Sequence, residues 1–184
     1  MESICESLAK NAVGTASEAA KRHYPFTPVG KVSRTYTAFQ SMEIFLRDGF
    51  VDRYSGTKLV FPGVIRLLSQ LLPENFPFHR NWKISETHPI YWELFPTVDH
   101  LLPVARGGED SPENWVCASM RTNQAKANWT VEELGWKLHL PGTLTDWDGL
   151  TGWFLAYVDS HPDTVALPYM KRWYSAANRT VRDA

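Results

Sequence analysis

The sequence contains little cysteine and no long apolar run. Its 184 residues include two cysteines, Cys5 and Cys117, which are too few for a disulfide framework or a four-cysteine metal site. No run of about 18 consecutive apolar residues occurs, so the sequence predicts no transmembrane helix and no membrane partner. The N-terminal segment lacks the apolar core of a secretory signal peptide. These absences favour a protein of the reducing cytoplasm.

Neither sign of charge predominates. The chain has 19 basic and 20 acidic side chains and a formal net charge of −1 at pH 7. A protein that coats nucleic acid is usually strongly basic, because phosphate neutralisation supplies much of its affinity. Near-neutrality weakens that role but is compatible with an enzyme that meets phosphate through a small basic patch. The eight tryptophans either pack in a core or stack on bases, and core packing is favoured.

The apolar pattern predicts a mixed α+β chain that forms one domain. Helices are predicted at five places, 3–22, 37–49, 63–72, 146–158 and 166–176. A turn at 54–57 is predicted to join two short strands, and residues 73–96 are expected to be irregular. Two further strands are predicted within 96–104 and 115–119, followed by a helix within 121–129. Thr130 and Glu133 have the spacing of a capping box, which predicts one more helix at 131–136.

One stretch, TVDHLLPVARGGEDSPENW at 97–115, begins with an Asp-His pair that would mean little by itself. The pair is followed at fixed distances by a proline, two glycines, two asparagines and a lysine. The full set is Asp99, His100, Pro103, Gly107, Gly108, Asn114, Asn123 and Lys126. The predicted order of strand, loop, strand and helix covers the same residues.

This pattern resembles the HNH nucleases, whose ββα-metal motif carries Asp-His on the first strand, an asparagine after the loop, and a histidine or asparagine on the helix. The spacing is closest to that of the HNH domain of CRISPR effector nucleases. The resemblance is strong over 97–129, weaker over 45–60 and absent elsewhere. It implies an α+β fold with a ββα-metal core at 47–129, including an upstream hairpin. Helical extensions at 1–46 and 130–184 would complete the single domain 1–184.

The resemblance also implies a metal-dependent active site. His100 would be the general base that activates water, since a neutral imidazole accepts a proton near physiological pH. Asp99 and Asn123 would bind the cation, because carboxylate and amide oxygens suit Mg²⁺ or Mn²⁺. Asn114 would be the middle residue of the motif, holding the loop and orienting His100.

Two basic residues are candidates for nucleic-acid binding. Lys126 lies three residues after Asn123 on the same predicted helical face, where it would contact a phosphate or remain a solvated charge. Arg106 precedes Gly107 in the loop and would touch the nucleic-acid backbone or remain a surface cation.

The implied function is a Mg²⁺-dependent endonuclease that hydrolyses double-stranded DNA to a 5′-phosphate and a 3′-hydroxyl. One site per chain would cut one strand, so a double-strand break would need a homodimer or two successive nicks. The alternatives are a non-catalytic nucleic-acid-binding module of the same fold, and a nuclease that acts on RNA or modified DNA.

The sequence departs from the pattern of many HNH proteins at the structural zinc. The four cysteine positions of that zinc site are occupied here by Asp52, Ser55, Cys117 and Met120. One thiolate does not make a tetrahedral zinc site, so no structural zinc is expected and Cys117 is expected to be a buried apolar residue. Hydrophobic packing is expected to replace the metal. The residues expected to supply it are Phe50, Tyr54, Leu59, Trp115 and Val116.

Overall fold

The computed structural model of the protein describes residues 1–26 and 36–182. The chain divides into two compact units, the first ending at residue 33 and the second beginning at residue 34. The domain boundaries expected from the sequence stay a prediction. Within the described ranges, no helix has both the length and the apolar character needed to cross a lipid bilayer.

The first unit contains two helices, α1 at Glu2–Ala9 and α2 at Val13–His23, so the prediction of one continuous helix over 3–22 was wrong. Asn11 has a φ of 57° and breaks the helix. The amide of Ala12 donates to the carbonyl of Ser7, and the amide of Asn11 donates to that of Leu8. This is the Schellman pattern of a helix end, with asparagine in the left-handed position that it tolerates better than most residues.

The second unit combines six helices, as described over 36–182, with a two-stranded antiparallel sheet, in agreement with the α+β class. The helices are α3 at Ala38–Arg47, α4 at Pro62–Leu71, α5 at Ile90–Glu93, α6 at Met120–Lys126, α7 at Thr151–Ser160 and α8 at Pro168–Arg182. The strands are β1 at Pro96–His100 and β2 at Trp115–Ser119. The helices predicted at 37–49 and 63–72 are confirmed, and the segment predicted to be irregular, 73–96, is so except for α5 and for Pro96, which begins β1.

Helix α3 could be predicted from its local sequence because both of its ends carry recognisable signals. Thr37 and Gln40 form a capping box at its start, with Thr37 Oγ1 accepting from the Gln40 amide and Gln40 Oε1 accepting from the Thr37 amide. Gly49, with a φ of 63°, follows its last turn. The buried side of α3 faces the main core, which also includes the Trp115 and Cys117 side chains of β2.

The two strands pair in regular register, with Asp99 opposite Val116 and His100 opposite Trp115. Helix α6 follows β2 directly, and Ser119 caps it by accepting a hydrogen bond from the Thr122 amide. The predicted order of strand, loop, strand and helix is therefore confirmed. Short 3₁₀ turns at Val104–Arg106 and Pro112–Asn114 interrupt the loop between the strands.

The upstream hairpin is shorter than predicted. A turn forms at 53–55, close to the predicted 54–57, but the two expected strands are reduced to one isolated bridge between Val51 and Lys58. The Asp52 amide donates to the Thr57 carbonyl and the Leu59 amide to the Phe50 carbonyl. The ladder ends there because the amides of Val60 and Phe61 donate instead to the carbonyls of Leu94 and Gly149.

The helix predicted at 131–136 was also wrong. The capping box is present, since Glu133 Oε2 accepts from the Thr130 amide and Thr130 Oγ1 accepts from the Glu133 amide. The chain nevertheless makes only a turn at 131–135. Gly135 adopts a φ of 64° and ends the turn before a second one can form.

Candidate active site

Strand β1 sends the side chains of Asp99 and His100 to opposite sides of the sheet. Successive residues of a regular strand alternate between faces, and the pairing with β2 contains no bulge at these two positions. Thr97 and Asp99 face α6, whereas His100 lies against Trp115 and Tyr36. Among the described residues, the two side chains share no hydrogen-bond or ion-pair partner.

The carboxylate of Asp99 is held by two groups from distant parts of the chain. Tyr54 Oη donates to Asp99 Oδ2 at 2.7 Å, and Lys126 Nζ lies 3.1 Å from the same oxygen. Burial, reinforced by the negative charge of Asp99, raises the pKa of Tyr54 well above its ordinary value. Tyr54 therefore keeps its proton and acts as a fixed donor to Asp99.

Lys126 is fully buried and points toward β1. Its ammonium donates to the backbone carbonyl of His100 at 2.6 Å, pairs with Asp99, and lies 5.6 Å from the centre of the Tyr54 ring. The phosphate contact expected of Lys126 is not available in this arrangement, because the side chain has no exposed surface. Lys126 instead connects α6 to the end of β1 through the Asp99 carboxylate and the His100 carbonyl.

Asn123 lies one turn before Lys126 on α6 and is oriented by β1. Its Nδ2 donates to Thr97 Oγ1 at 2.9 Å and to the Val98 carbonyl at 3.4 Å. Because a carbonyl only accepts, this contact fixes which end of the amide faces the strand. The side-chain oxygen of Asn123 is left facing away from these partners.

Two side-chain oxygen atoms of this face are of the type that binds a hard divalent cation. Neither Asn123 Oδ1 nor Asp99 Oδ1 accepts a hydrogen bond from the described residues, and neither atom is completely buried. Both are therefore open to water or to a cation, and both are of the ligand type that Mg²⁺ prefers. No group of three or more His, Cys, Asp and Glu side chains within 1–26 and 36–182 has the arrangement of a metal site. A cation here would thus retain several waters.

The imidazole of His100 is anchored through one nitrogen. Nε2 lies 2.8 Å from Asp110 Oδ1, and the Trp115 indole N–H donates to the same carboxylate oxygen at 2.9 Å. Tyr36 Oη also donates to Asp110 Oδ1, at 3.2 Å. The Trp115 indole N–H also lies 3.2 Å from Nε2, but the charged carboxylate is the stronger acceptor for both donors. With Nε2 donating to Asp110, the tautomer carries its proton on Nε2 and leaves Nδ1 as the acceptor nitrogen.

Asp110 keeps its negative charge in this cluster. Partial desolvation raises its pKa, but hydrogen bonds from His100, Trp115 and Tyr36 together outweigh that effect and hold the pKa below its ordinary value. The carboxylate therefore stays ionised at neutral pH.

Asn114 holds the loop between the two strands closed. Its Oδ1 accepts from the Leu102 amide at 2.9 Å, and its Nδ2 donates to the carbonyls of Leu102 and Glu109 at 2.9 and 2.8 Å. The backbone crowds together here, since a Cβ on Gly108 would lie 1.9 Å from the Leu102 carbonyl oxygen. Gly107 reverses the chain with a φ of 89°. Asn114 thus sets the path of the loop that carries Asp110.

Arg106 lies in the same loop but has an acidic partner. Its guanidinium hydrogen-bonds to Glu133, the acidic member of the capping box described above. Hydrogen bonds from Arg106, then from Thr130, lower the pKa of Glu133. Arg106 is exposed, so it remains accessible to a phosphate, although binding one would compete with Glu133.

Buried carboxylates occupy the region where the sequence resemblance placed the zinc site of many HNH proteins. Asp52 Oδ2 accepts from the Ser119 amide and the Thr122 hydroxyl, and Asp52 Oδ1 accepts from the Tyr54 amide. Asp48 Oδ2 accepts from the Cys117 amide at 2.8 Å. The expected hydrophobic packing is present as well, because all five residues named for it are buried. Hydrogen bonds from these two aspartates to the backbone add a polar connection that the sequence did not predict.

Several of these residues were not predicted from the sequence. Asp110 lies in a polar loop beside Glu109, and nothing local distinguishes the two carboxylates. Tyr54 was expected only to pack, and the structure shows that its hydroxyl also serves Asp99. A signal did exist for Asp52, since it stands where a cysteine ligand is expected and carries two acceptor oxygens.

One comparison with known protein families matches the segment that contains these residues. Residues 94–131, about a fifth of the chain, match the family model of the HNH endonucleases. The matched segment contains β1, the loop, β2 and α6, and with them all six residues that the sequence assigned to the site. No curated protein and no solved structure matches the chain. The match supports the HNH family and indicates a nuclease.

Proposed function

We propose that the protein is a metal-dependent endonuclease that hydrolyses phosphodiester bonds of double-stranded DNA. The observation that carries this proposal is the fixed imidazole of His100, whose Nε2 is held by ionised Asp110 while Nδ1 remains the acceptor nitrogen. His100 and Asp99 are the last two residues of β1, on opposite faces of the strand, within the segment that matches the HNH model. A carboxylate on one ring nitrogen holds the imidazole in a single tautomer and orientation, which a general base requires.

In this mechanism His100 takes a proton from water at Nδ1, and the resulting hydroxide attacks phosphorus. The bond from phosphorus to the 3′ oxygen breaks, and the departing oxyanion takes a proton from solvent, which gives a 5′-phosphate and a 3′-hydroxyl. His100 then returns its proton to solvent. Asp110 holds the imidazole in place and stabilises its protonated form. Asn114 keeps the Asp110 loop closed over the ring.

Asp99 and Asn123 are proposed to hold one Mg²⁺ or Mn²⁺ through their open oxygens. When bound, such a cation neutralises charge that develops on the phosphate and the leaving oxygen. Lys126 fixes the Asp99 carboxylate from the buried side and contributes a positive charge nearby. Arg106 is proposed to meet the nucleic-acid backbone by exchanging Glu133 for a phosphate.

Supercoiled plasmid provides the direct test. The wild-type protein should nick it with Mg²⁺ or Mn²⁺ and leave it intact in EDTA. His100→Ala should lower the rate by about 10²- to 10⁴-fold, the usual contribution of a general base. His23→Ala, which changes an exposed histidine of the first unit, is the matched control and should cut normally. Equal activity of the two variants would exclude His100 as the base.

The order of products tests how two strands are cut. Nicked circles that precede linear plasmid at every protein concentration would favour successive nicks by one site. Linear product that appears directly, and increases steeply with protein concentration, would favour a homodimer. Parallel reactions with RNA and with modified DNA test the alternative substrates, and DNA binding without cleavage under either metal would favour the non-catalytic module.

A further inference from the structure

A cavity of about 280 Å³ lies in the second unit and is lined by five aromatic rings and two arginines. It brings together α4, the irregular segment before α5, α5 itself and α8. The volume is close to the lower limit, about 300 Å³, of pockets that bind small molecules. None of the residues assigned to the active site lines it.

The aromatic rings of this cavity hold one another in place. Trp82 meets Tyr91 and Phe95 edge to face, with ring centres 5.2 and 5.1 Å apart. Trp82 also has a φ of 53°, a left-handed conformation that is unusual for a bulky residue. Backbone strain of this kind persists where surrounding packing enforces it, and such positions concentrate at binding sites. Trp82, Phe78 and Phe95 are only half-buried, so ring surface remains open to a ligand.

The two arginines give the cavity a positive charge without a protein counterion. The Arg66 guanidinium carbon lies 3.6 Å from the centre of the Phe78 ring, so the two groups are stacked. No carboxylate forms an ion pair with Arg66 or Arg80 in the described part of the chain. Burial raises the pKa of Tyr169, which also lines the cavity, to about 12, so its hydroxyl is neutral. The lining therefore combines flat aromatic surface with two guanidinium groups.

We propose that this cavity binds one nucleotide of the nucleic-acid substrate, with its base against the aromatic rings and its phosphate on Arg66 and Arg80. Bases stack on aromatic side chains whatever their sequence, and guanidinium groups bind phosphate through paired hydrogen bonds. A nucleotide unites the planar ring and the anion that this lining suits. This inference rests on the proposed function, since it takes the occupant from the nuclease's own substrate.

The position of the cavity suits a strand that also reaches the active site. Phe95 immediately precedes β1, and His100 ends that strand. Five residues at ~3.3 Å each separate Phe95 from His100 by roughly 17 Å. The same span covers about five nucleotides at ~3.4 Å per step along one strand. A strand of about this length would occupy the cavity and the active site together, with the base in the cavity turned out of the duplex.

Binding without cleavage tests the proposal. Fluorescence anisotropy of a labelled single-stranded oligonucleotide in EDTA reports affinity for the full chain. Arg66→Gln and Arg80→Gln should each weaken binding by about fivefold to tenfold, whereas the control Lys137→Gln, with the same loss of charge outside the cavity, should have little effect. Arg80 is exposed, so its substitution leaves the core intact even if Arg66→Gln unfolds.

Loss of the base tests stacking separately from charge. An oligonucleotide of abasic deoxyribose phosphates should bind the wild type about tenfold more weakly than a normal one. Phe78→Leu should remove most of this difference. Equal effects of Arg80→Gln and Lys137→Gln, together with an unchanged preference for bases in Phe78→Leu, would overturn the proposal. Saturable quenching of tryptophan fluorescence by 5′-mononucleotides, combined with oligonucleotide binding that the cavity variants leave unchanged, would overturn it in favour of a free nucleotide.

Cleavage assays separate this proposal from the proposed function. If wild-type protein cuts plasmid while Arg80→Gln and Phe78→Leu bind and cut as the control does, the cavity assignment fails and the nuclease stands. If the cavity variants weaken oligonucleotide binding but no metal supports cleavage, the nuclease fails and the nucleotide site stands. An active enzyme whose cavity variants need more DNA for half-maximal rate, at unchanged maximal rate, would support both.

Discussion

The ammonium of Lys126 lies 3.1 Å from Asp99 Oδ2 in a position with no solvent exposure. It also bonds the His100 carbonyl, so one side chain of α6 supports both residues of the Asp-His pair. A surface lysine at this spacing would serve the substrate directly. This buried lysine serves the carboxylate and the backbone from which the proposed base projects.

Substitution of Lys126 by methionine is expected to cost about 3–5 kcal/mol in the free energy of unfolding, because it leaves the buried Asp99 carboxylate without its cation. Urea denaturation measures this. The double variant Lys126→Met with Asp99→Asn should recover part of the loss, since the unpaired charge is gone. Two strictly additive effects would show that the 3.1 Å contact carries no coupling energy.

Asp110→Asn is expected to change the dependence of stability on pH. Hydrogen bonds lower the pKa of Asp110 in the folded protein below its ordinary value of 3.8, so the unfolded chain binds the proton more readily. The resulting stabilisation is complete above about pH 4 and is lost as pH falls through the folded-state value. Because the side chain is one-third exposed, solvent screening makes the effect small.

Thermal unfolding between pH 7 and pH 2 checks this prediction. The difference in Tm between wild type and Asp110→Asn should be largest near neutral pH and should shrink below about pH 4. Glu109→Gln is the matched control, because it removes the same charge from the neighbouring residue. A Tm difference that stays constant across this range would contradict the assignment of the Asp110 hydrogen bonds.

The local pattern sufficed for β1, β2 and α6 because each carries its own signal. Thr97 and Val98 favour a strand, and Ser119 with Thr122 caps the helix that follows. The prediction of a helix at 131–136 was wrong although the capping box is present, because Gly135 ends the turn. A capping box that is not followed by enough helix-favouring residues predicts only a turn.

The support of the site could not be predicted, because it comes from residues distant in the chain. Tyr54 reaches Asp99 across 45 positions, and no spacing rule relates a hairpin tyrosine to a strand carboxylate. The same holds for Lys126, whose burial depends on Tyr54 and β1 closing over it. Spacing thus predicted which residues gather, while tertiary packing decided which of them face solvent.

Asp52→Asn is expected to destabilise the connection between the hairpin and α6. Its two oxygens accept from backbone and hydroxyl donors on both sides, and an amide replaces one acceptor with a donor that would face another donor. A loss of about 1–3 kcal/mol in the free energy of unfolding should follow. Asp163→Asn, an exposed site on a 3₁₀ turn, should change stability very little.

Asn114→Asp is expected to lower the cleavage rate, because it replaces the amide nitrogen of Asn114, a hydrogen-bond donor, with an oxygen that only accepts. The amide Nδ2 of Asn114 donates to two carbonyls, of Leu102 and Glu109. A carboxylate oxygen in its place would face both carbonyls and repel them, opening the loop that carries Asp110 toward His100. We expect about a tenfold or greater loss of rate, the size of effect seen when an outer partner of a site is removed.

The Mg²⁺ concentration for half-maximal cleavage distinguishes this effect from loss of the cation. Asn114→Asp should leave that concentration nearly unchanged, since neither Asp99 nor Asn123 contacts the Asn114 side chain. Asn123→Ala should raise it, because it removes a proposed ligand. If Asn114→Asp shifted the metal requirement as strongly as Asn123→Ala, Asn114 would belong to the cation site, and its hydrogen bonds to the loop would not account for its role.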